Sequence, residues 1–511
     1  MHAEDDELQN GARLYGPVDG RRTVARGAPA RAATCPSRTV NVLLTSPHFR
    51  MSETVSAPPA TPPAPSRDSS RRRFWTAVAV AALLLQAALL WIEWRPAPRK
   101  LWGDEMTYWA AAEQLRAGVK PDLYLIWPPL YPHVLATLMG LSAGSRLAAQ
   151  LFQIALLAVS ALLLRSLGRA LLPSAALPGG IHAGDIAAAL VLLDPQVAAF
   201  GILLWPEALH LALFLFAWWA LLTRGDRWGW LAAAGVALGL ALLTKSLLLA
   251  FVPVLLLPLV LDGPWPRRLL RPALVAGTMA LTLLPVQLGN RARYGEATVA
   301  DSSAFNAWVG LNDRSRRNFV GEIVGDELNA YVKSAPAPAA RAAIARAKIR
   351  RLVEERGVPR VLRAQLSRQF FRLFDRDSFL ADQLPGGAIA ARSDGFGFAA
   401  PPAWIAAALR GWGWTIYAAV LVGAALGAAT VPVENRRWLA VAVLFVAYNL
   451  ALFLVLHVKT RYRVPLMPVL DLFAAATAIW WWTRRPRRGA AAWAAGAALA
   501  VLLLFLAFGG R

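Results

Sequence analysis

Two adjacent carboxylates, Asp104 and Glu105, begin the most distinctive stretch of the chain, LWGDEMTYWAAAEQLRAGVKPDLYLIWPPLYP over residues 101–132. A carboxylate held at a membrane surface can take a proton from an attacking hydroxyl. That makes Asp104 a general-base candidate, with Glu105 positioning it or the acceptor. The same spacing allows a structural role, because an Asp at a helix start can accept from the free N–H groups of the first turn. Tyr108, Ala111, Ala112 and Leu115 recur at helical spacing. They predict a helix that lies along the membrane without crossing it, stopped by Gly118 and Pro121. The run WPPLYP over residues 127–132 reads either as the wall of a groove beside the lipid or as an aromatic belt.

A second group of ionisable residues sits at the ends of apolar runs. Asp194 and Glu207 flank a turn broken by Pro195 and Pro206. Acids so close to hydrocarbon need a partner, water or a function. Glu207 is equally well read as a second carboxylate, a metal ligand, or the partner of Lys245 or of an Arg in the 457–463 loop. His210, one helical turn on, gives only a weak metal signal. Lys245 is one of few lysines in an Arg-dominated chain, and serves either as a point charge for phosphate or as an interfacial anchor. The loop His457-Val458-Lys459-Thr460-Arg461-Tyr462-Arg463 gathers three cations on what the topology makes the outer side, against the usual bias. A lipid-linked phosphate suits it, since guanidinium groups bind phosphate oxygens in pairs and stabilise a leaving phosphate. Anionic headgroups are the alternative.

The elements that must hold these residues are apolar helices. Of 511 residues, 57% are hydrophobic, and runs of near twenty apolar residues recur. That composition predicts an all-α polytopic membrane protein. The net charge of +23 comes largely from Arg in short loops, so it orients helices and does not point to nucleic acid. About eleven spans are expected, with a range of 9–13: 74–92, 147–167, 186–204, 207–222, 228–243, 247–261, 273–288, 412–430, 438–456, 464–482 and 490–508. Residues 131–141 are too short to cross and read as re-entrant or as a half-helix. Arg71-Arg72-Arg73 places the N-terminus in the cytoplasm. Residues 1–73 read as a disordered tail holding the single Cys35, with a possible start at Met51. Residues 74–289 form an N-terminal membrane module, with 94–132 as its first outer loop. Residues 290–410 form a small extracytoplasmic α-rich insert, and 411–511 the C-terminal helices. Within the insert, Pro359 splits a basic helical stretch in two, and glycine-rich turns follow at 385–388 and 395–397. No nucleotide-binding loop, CxxC, HExxH or GxSxG occurs.

Taken together, these residues resemble the GT-C superfamily of membrane glycosyltransferases. The likeness is to protein O-mannosyltransferases and to the aminoarabinose and lipopolysaccharide galacturonosyl transferases of bacterial envelopes. The matching features are Gly103-Asp104-Glu105 with Tyr108, Pro128-Pro129-Leu130-Tyr131-Pro132, Pro195 with Glu207, residues 239–245 ending in Lys245, and Arg461-Tyr462-Arg463-Val464-Pro465 with Pro468. They run in the family's order over residues 74–485. The resemblance implies two amphipathic helices in the first outer loop and a polyprenyl-phosphate-linked sugar donor. It implies Asp104 as the catalytic acid position and the basic loop as the seat of donor phosphate. One departure stands out. Aminoarabinose transferases carry Glu-Lys before the double proline where this chain has Ile126-Trp127. That argues against aminoarabinose as the sugar and leaves a divalent metal requirement open.

The expectation is therefore a glycosyltransferase of the bacterial plasma (inner) membrane. It moves a sugar from a polyprenyl-phosphate donor to a glycan, lipid or protein acceptor of the envelope, on the outer face and with inversion. Asp104 and Glu105 are the catalytic residues. Tyr108, Tyr131, Glu207, Lys245, Lys459, Arg461, Tyr462 and Arg463 are the substrate-binding residues, with no metal ligand assigned. The rival from another class is a transporter or flippase of lipid-linked glycans, which needs an anionic-lipid groove and no base. Internally symmetric half-helices would mark such a protein, and the sequence shows none.

Overall fold

The computed structural model describes residues 67–313, 315–320, 323–390, 398–399, 401–430, 435–483 and 489–510. All of them fall in the compact unit Pro65–Arg511. Of the tail expected to be disordered over residues 1–73, residues 1–66 (with Cys35 and Met51) lie outside the described residues, as does the turn at 395–397, and residues 67–73 are helical.

Helices are the only regular elements among the described residues, apart from one isolated bridge between Ala176 and His182. The first is α1 (Arg67–Trp94). A loop then carries α2 (Asp104–Arg116), and α3 (Leu130–Leu141) follows. At about 1.5 Å per residue neither α2 nor α3 is long enough to span hydrocarbon. The bundle continues with α4 (Arg146–Leu171), α5 (Ala183–Leu193), α6 (Pro195–Ala198), α7 (Glu207–Arg224), α8 (Trp228–Thr244), α9 (Val252–Leu261) and α10 (Trp265–Tyr294). Six helices then stand between the two halves of the bundle: α11 (Ser303–Asn312), α12 (Val324–Lys333), α13 (Pro338–Arg356), α14 (Val358–Leu366), α15 (Gln369–Phe374) and α16 (Phe379–Gln383). The chain returns to apolar helices with α17 (Ala403–Thr430), α18 (Arg436–Phe453), α19 (Met467–Thr483) and α20 (Ala490–Phe508).

The chain is a multi-pass membrane protein. Among the described residues, seven helices are long and apolar enough to cross a membrane, and an eighth joins them if the bent pair α5–α6 counts as one span. The count of eleven also needs the shorter α8, the 246–261 run and α19. The 186–204 span is broken at Pro195, one of the two prolines expected to break the helices there. Its two pieces bend by 59° at Asp194-Pro195, because proline removes an N–H and Asp194 instead caps the new start by accepting from Gln196 N at 2.8 Å. The 247–261 run begins as a 3-10 turn over Ser246–Phe251. The basic stretch is three helices, α13 to α15, where one break was expected. Its first break falls at Gly357 (φ 76°), and Pro359 sits in the opening turn of α14, where its missing N–H costs nothing.

Close packing rests on small residues. A Cβ at Gly235 or Gly239 of α8 would meet Thr278 Oγ1 at 1.9 Å or Thr282 Cβ at 2.6 Å on α10. The four-residue spacing places both glycines on one face, so the two backbones touch along a stripe. One apolar core runs from Leu85 of α1 to Ala507 of α20, uniting both halves of the bundle.

Candidate functional site

The start of the 94–132 stretch is pinned by a buried ion cluster. Arg99 donates through Nε to Glu93 Oε2 (2.9 Å) and through Nη2 and Nη1 to Glu105 (2.7 and 2.9 Å), and all three side chains are 0% exposed. Glu105 also accepts from Trp102 N at 3.2 Å and from Leu204 N at 2.7 Å. Arg146 adds a 3.0 Å contact to Glu93. Glu105 thus joins α1, α2 and the 202–205 segment beneath the bundle surface, and it lines no part of the cleft described next. Burial lowers the proton affinity of Arg99, and the two glutamates more than restore it, so its pKa is raised.

One residue earlier the chain does the opposite. Asp104 is the first residue of α2, and the N-cap is Gly103 (φ 59°), with no side-chain cap. Its carboxylate instead reaches across the fold to the guanidinium Nη2 of Arg461, 357 residues away. Together they line a cleft of about 1000 Å³, open mouth included. Burial works to raise the Asp104 carboxyl. The Arg461 guanidinium and a hydrogen bond from Trp127 outweigh it and hold the group below the usual aspartate value.

Arg461 comes from a 3-10 turn, Thr460–Arg463. With three residues per turn, side chains two apart point roughly 120° from each other. Arg461 therefore faces the cleft while Arg463 faces away. The Arg461 guanidinium lies 4.2 Å over the ring of buried Trp205, a contact that orients its plane. Its Nε is 3.6 Å from Glu207 Oε1, which accepts from Lys245 Nζ at 2.7 Å. Lys245 lies 5.3 Å over the Tyr462 ring, which stacks on Phe453. Lys459 is 4.2 Å over Phe319. Charges thus alternate from Asp104 through Arg461 and Glu207 to Lys245, with Lys459 also in the lining.

Tyr108, Lys245, Lys459, Arg461 and Tyr462 line this cleft beside Asp104, and Glu207 (1% exposed side chain) lies beneath it. Three other candidates from the sequence lie elsewhere. Glu105 is in the ion cluster. Tyr131 donates to Gln153 Oε1 at 2.5 Å and packs edge-on against Tyr108. Arg463 donates to Gln196 Oε1 and to the carbonyl of Asp375, and lies 4.1 Å over Tyr417. It staples α6 to α17 and to the link after α15. Asp194 caps α6, and His210 Nδ1 pairs with Ala241 O at 3.1 Å.

The sequence reading missed Ser302, the N-cap of α11, and Phe305 and Asn306 within it, which close one wall of the cleft. No motif marks them. A tertiary contact does: the His457 N–H donates to Asn306 O at 2.8 Å, and a Cβ at Gly310 would strike the 455–457 backbone at 2.6 Å. Trp127 and Pro128 of the double-proline run line the cleft as a wall. Burial, with Arg372, Lys459 and Arg461 nearby, pushes the His457 imidazole well below its usual value. A divalent metal does not fit the residues present. Asp104 and Glu207 are bridged by a guanidinium, and among the described residues no three of His, Cys, Asp and Glu gather.

Residues 127–288, from the double-proline run through most of α10, match the family model described as dolichyl-phosphate-mannose-protein mannosyltransferase. This match bears out the resemblance to glycosyltransferases over that stretch. No curated protein sequence matches the chain. Among solved structures, it is similar to the archaeal oligosaccharyltransferase AglB from Archaeoglobus fulgidus in complex with an inhibitory peptide and a dolichol-phosphate. That match has 13% identity and a TM-score of 0.42, and covers 86% of this chain and 55% of that one. It is also similar to the Archaeoglobus fulgidus oligosaccharyltransferase in complex with Zn and sulfate, at 15% identity and a TM-score of 0.44, covering 85% and 51%. The chain spans about half the length of these proteins.

Proposed function

We propose that the protein is a membrane glycosyltransferase that moves a sugar from a polyprenyl-phosphate-linked donor to an acceptor hydroxyl of an envelope glycan, lipid or protein. The observation that carries this reading is the meeting of Asp104 with Arg461, Lys245 and Lys459 in one cleft. A carboxylate there can accept the proton of the attacking hydroxyl. Cations facing it can take the negative charge that grows on the departing phosphate. The nucleophile's oxygen attacks the anomeric carbon as the carbon–oxygen bond to phosphate breaks. One displacement inverts that carbon and releases polyprenyl phosphate. Asp104 is the base, and Arg461, Lys245 and Lys459 hold the phosphate. Glu207 positions Lys245 and Arg461, while Tyr108, Tyr462 and Trp127 give the cleft its aromatic walls.

The distribution of Arg supports placing the cleft on the outer face of a bacterial inner membrane with the N-terminus inside. Arg165, Arg169, Arg224, Arg227, Arg267, Arg268, Arg436 and Arg437 lie at the bundle ends that the reading puts in the cytoplasm. The test is sugar transfer by purified protein in lipid, with a panel of polyprenyl-phosphate sugars as donors and envelope fractions as acceptors. Transfer by the wild type that falls about 10²–10⁴-fold in Asp104→Asn supports the assignment. Transfer that survives the substitution removes Asp104 from the reaction.

A further inference from the structure

The alternating charges of the cleft differ in how firmly they are held. Glu207 is 1% exposed and sits between two cations, 2.7 Å from Lys245 and 3.6 Å from Arg461. Asp104 is 26% exposed and lies at the outer end of the chain of charges. Arg461 lies over the Trp205 ring, and the donors of a guanidinium point along its own plane. One of them, Nη2, is given to Asp104 at the cleft wall. Another, Nε, has no hydrogen-bond acceptor among the described residues. A guanidinium binds carboxylate and phosphate with the same in-plane fork. A phosphate in this cleft and the Asp104 carboxylate therefore compete for one seat.

We infer that the Asp104 carboxylate occupies the donor's phosphate seat on Arg461, and that the entering lipid phosphate displaces it there. This rests on the donor reading proposed above and adds a sequence of events to it. Without donor, Asp104 is neutralised by Arg461 and is a poor base. When a phosphate oxygen takes Nη2, Arg461 is satisfied by the phosphate. The carboxylate is released beside a new anion, which raises its affinity for the acceptor's proton. Donor binding therefore arms the base, and the donor precedes the acceptor. Glu207 is not exchanged, because it is buried and held by both Lys245 and Arg461.

The exchange has an uncommon signature: removing the catalytic charge should tighten donor binding. The probe is a sugar-free polyprenyl monophosphate, which cannot react, titrated onto the full chain in phosphatidylcholine nanodiscs. Asp104→Asn should bind it about tenfold more tightly than wild type, the scale of a charge-assisted contact. Asp122→Asn serves as the control for net charge. Asp122 lies in the same loop but pairs with Tyr294 and Arg293, outside the cleft. It should bind like wild type. The gain should also vanish when Asp104→Asn is combined with Arg461→Lys, which keeps the charge and loses the fork. Equal or weaker binding by Asp104→Asn overturns the exchange, as does an equal gain in Asp122→Asn or a gain that persists with Arg461→Lys. Those outcomes leave the donor reading intact so long as wild type binds the probe. If neither wild type nor Asp104→Asn binds it, the donor reading falls and the exchange with it.

Discussion

Glu105→Gln separates two roles that adjacent residues hold. The cluster of Glu93, Arg99, Glu105 and Arg146 has two negative and two positive charges, and its three central side chains are fully shielded from solvent. Glutamine keeps an oxygen for the Leu204 N–H, but its amide nitrogen replaces the oxygen that accepts from Trp102 N, so one charge and one backbone contact are lost. The cluster is left at net +1, with Arg99 facing a neutral amide in place of the carboxylate to which it donated two hydrogen bonds. Breaking one partner of a buried ion pair costs about 3–5 kcal/mol. Equilibrium unfolding in mixed micelles should show that loss, while sugar transfer per folded molecule stays near wild type. A variant with wild-type stability and transfer reduced about 100-fold would refute the reasoning, because Glu105 would then touch the reaction itself.

Other outcomes follow from the same geometry. Asp104→Asn should abolish most transfer yet change unfolding by less than about 1 kcal/mol, since its ion pair is partly open to solvent; a large loss of stability would return it to a structural role. Arg463→Met should do the reverse of a cleft mutant, costing about 1–3 kcal/mol for each buried acceptor it orphans while leaving probe affinity unchanged. Gly239→Leu has no room beside Thr282 and should part α8 from α10, seen as a lower melting temperature or loss of monodisperse protein; a normal melting curve would contradict the close approach. Asp382 of α16 has a pKa pushed up to about 7 by burial and by Asp375. The unfolded chain ionises it near 3.8, so its contribution to stability is full below that value and is lost as pH rises through about 7. Melting temperature should fall over that window and flatten in Asp382→Asn; an unchanged slope would show that another group sets it.

The apolar runs were legible because a spanning helix announces itself through length and hydropathy alone. The final helix, 490–508, was bounded correctly to the residue. The α5–α6 bend was half legible: proline was visible, but the sequence cannot show that Asp194 would restart the helix at once. The site followed the same rule. Asp104 and Arg461 were nominated singly from local charge, and that they touch is a tertiary fact no spacing encodes. Arg461 and Arg463 looked equivalent in a basic loop, until a three-residue turn sent one to the cleft and the other to the core. Glu105 looked like a partner of Asp104 because it is adjacent, yet adjacent residues on a helix point about 100° apart. The wall from α11 carried no signal because its polar residues are ordinary and matter only where Gly310 lets them approach.

The long chain separation between Asp104 and Arg461 has a consequence for how the protein is made. At about 5–20 residues per second, roughly 20–70 s pass between synthesis of one partner and the other, which lies 357 residues later. During that interval Asp104 lacks its guanidinium, and Glu207 has only Lys245. The growing chain carries acids near hydrocarbon that its own sequence will neutralise much later. The half-built bundle therefore holds both acids without their shared guanidinium until residues 459–463 are made.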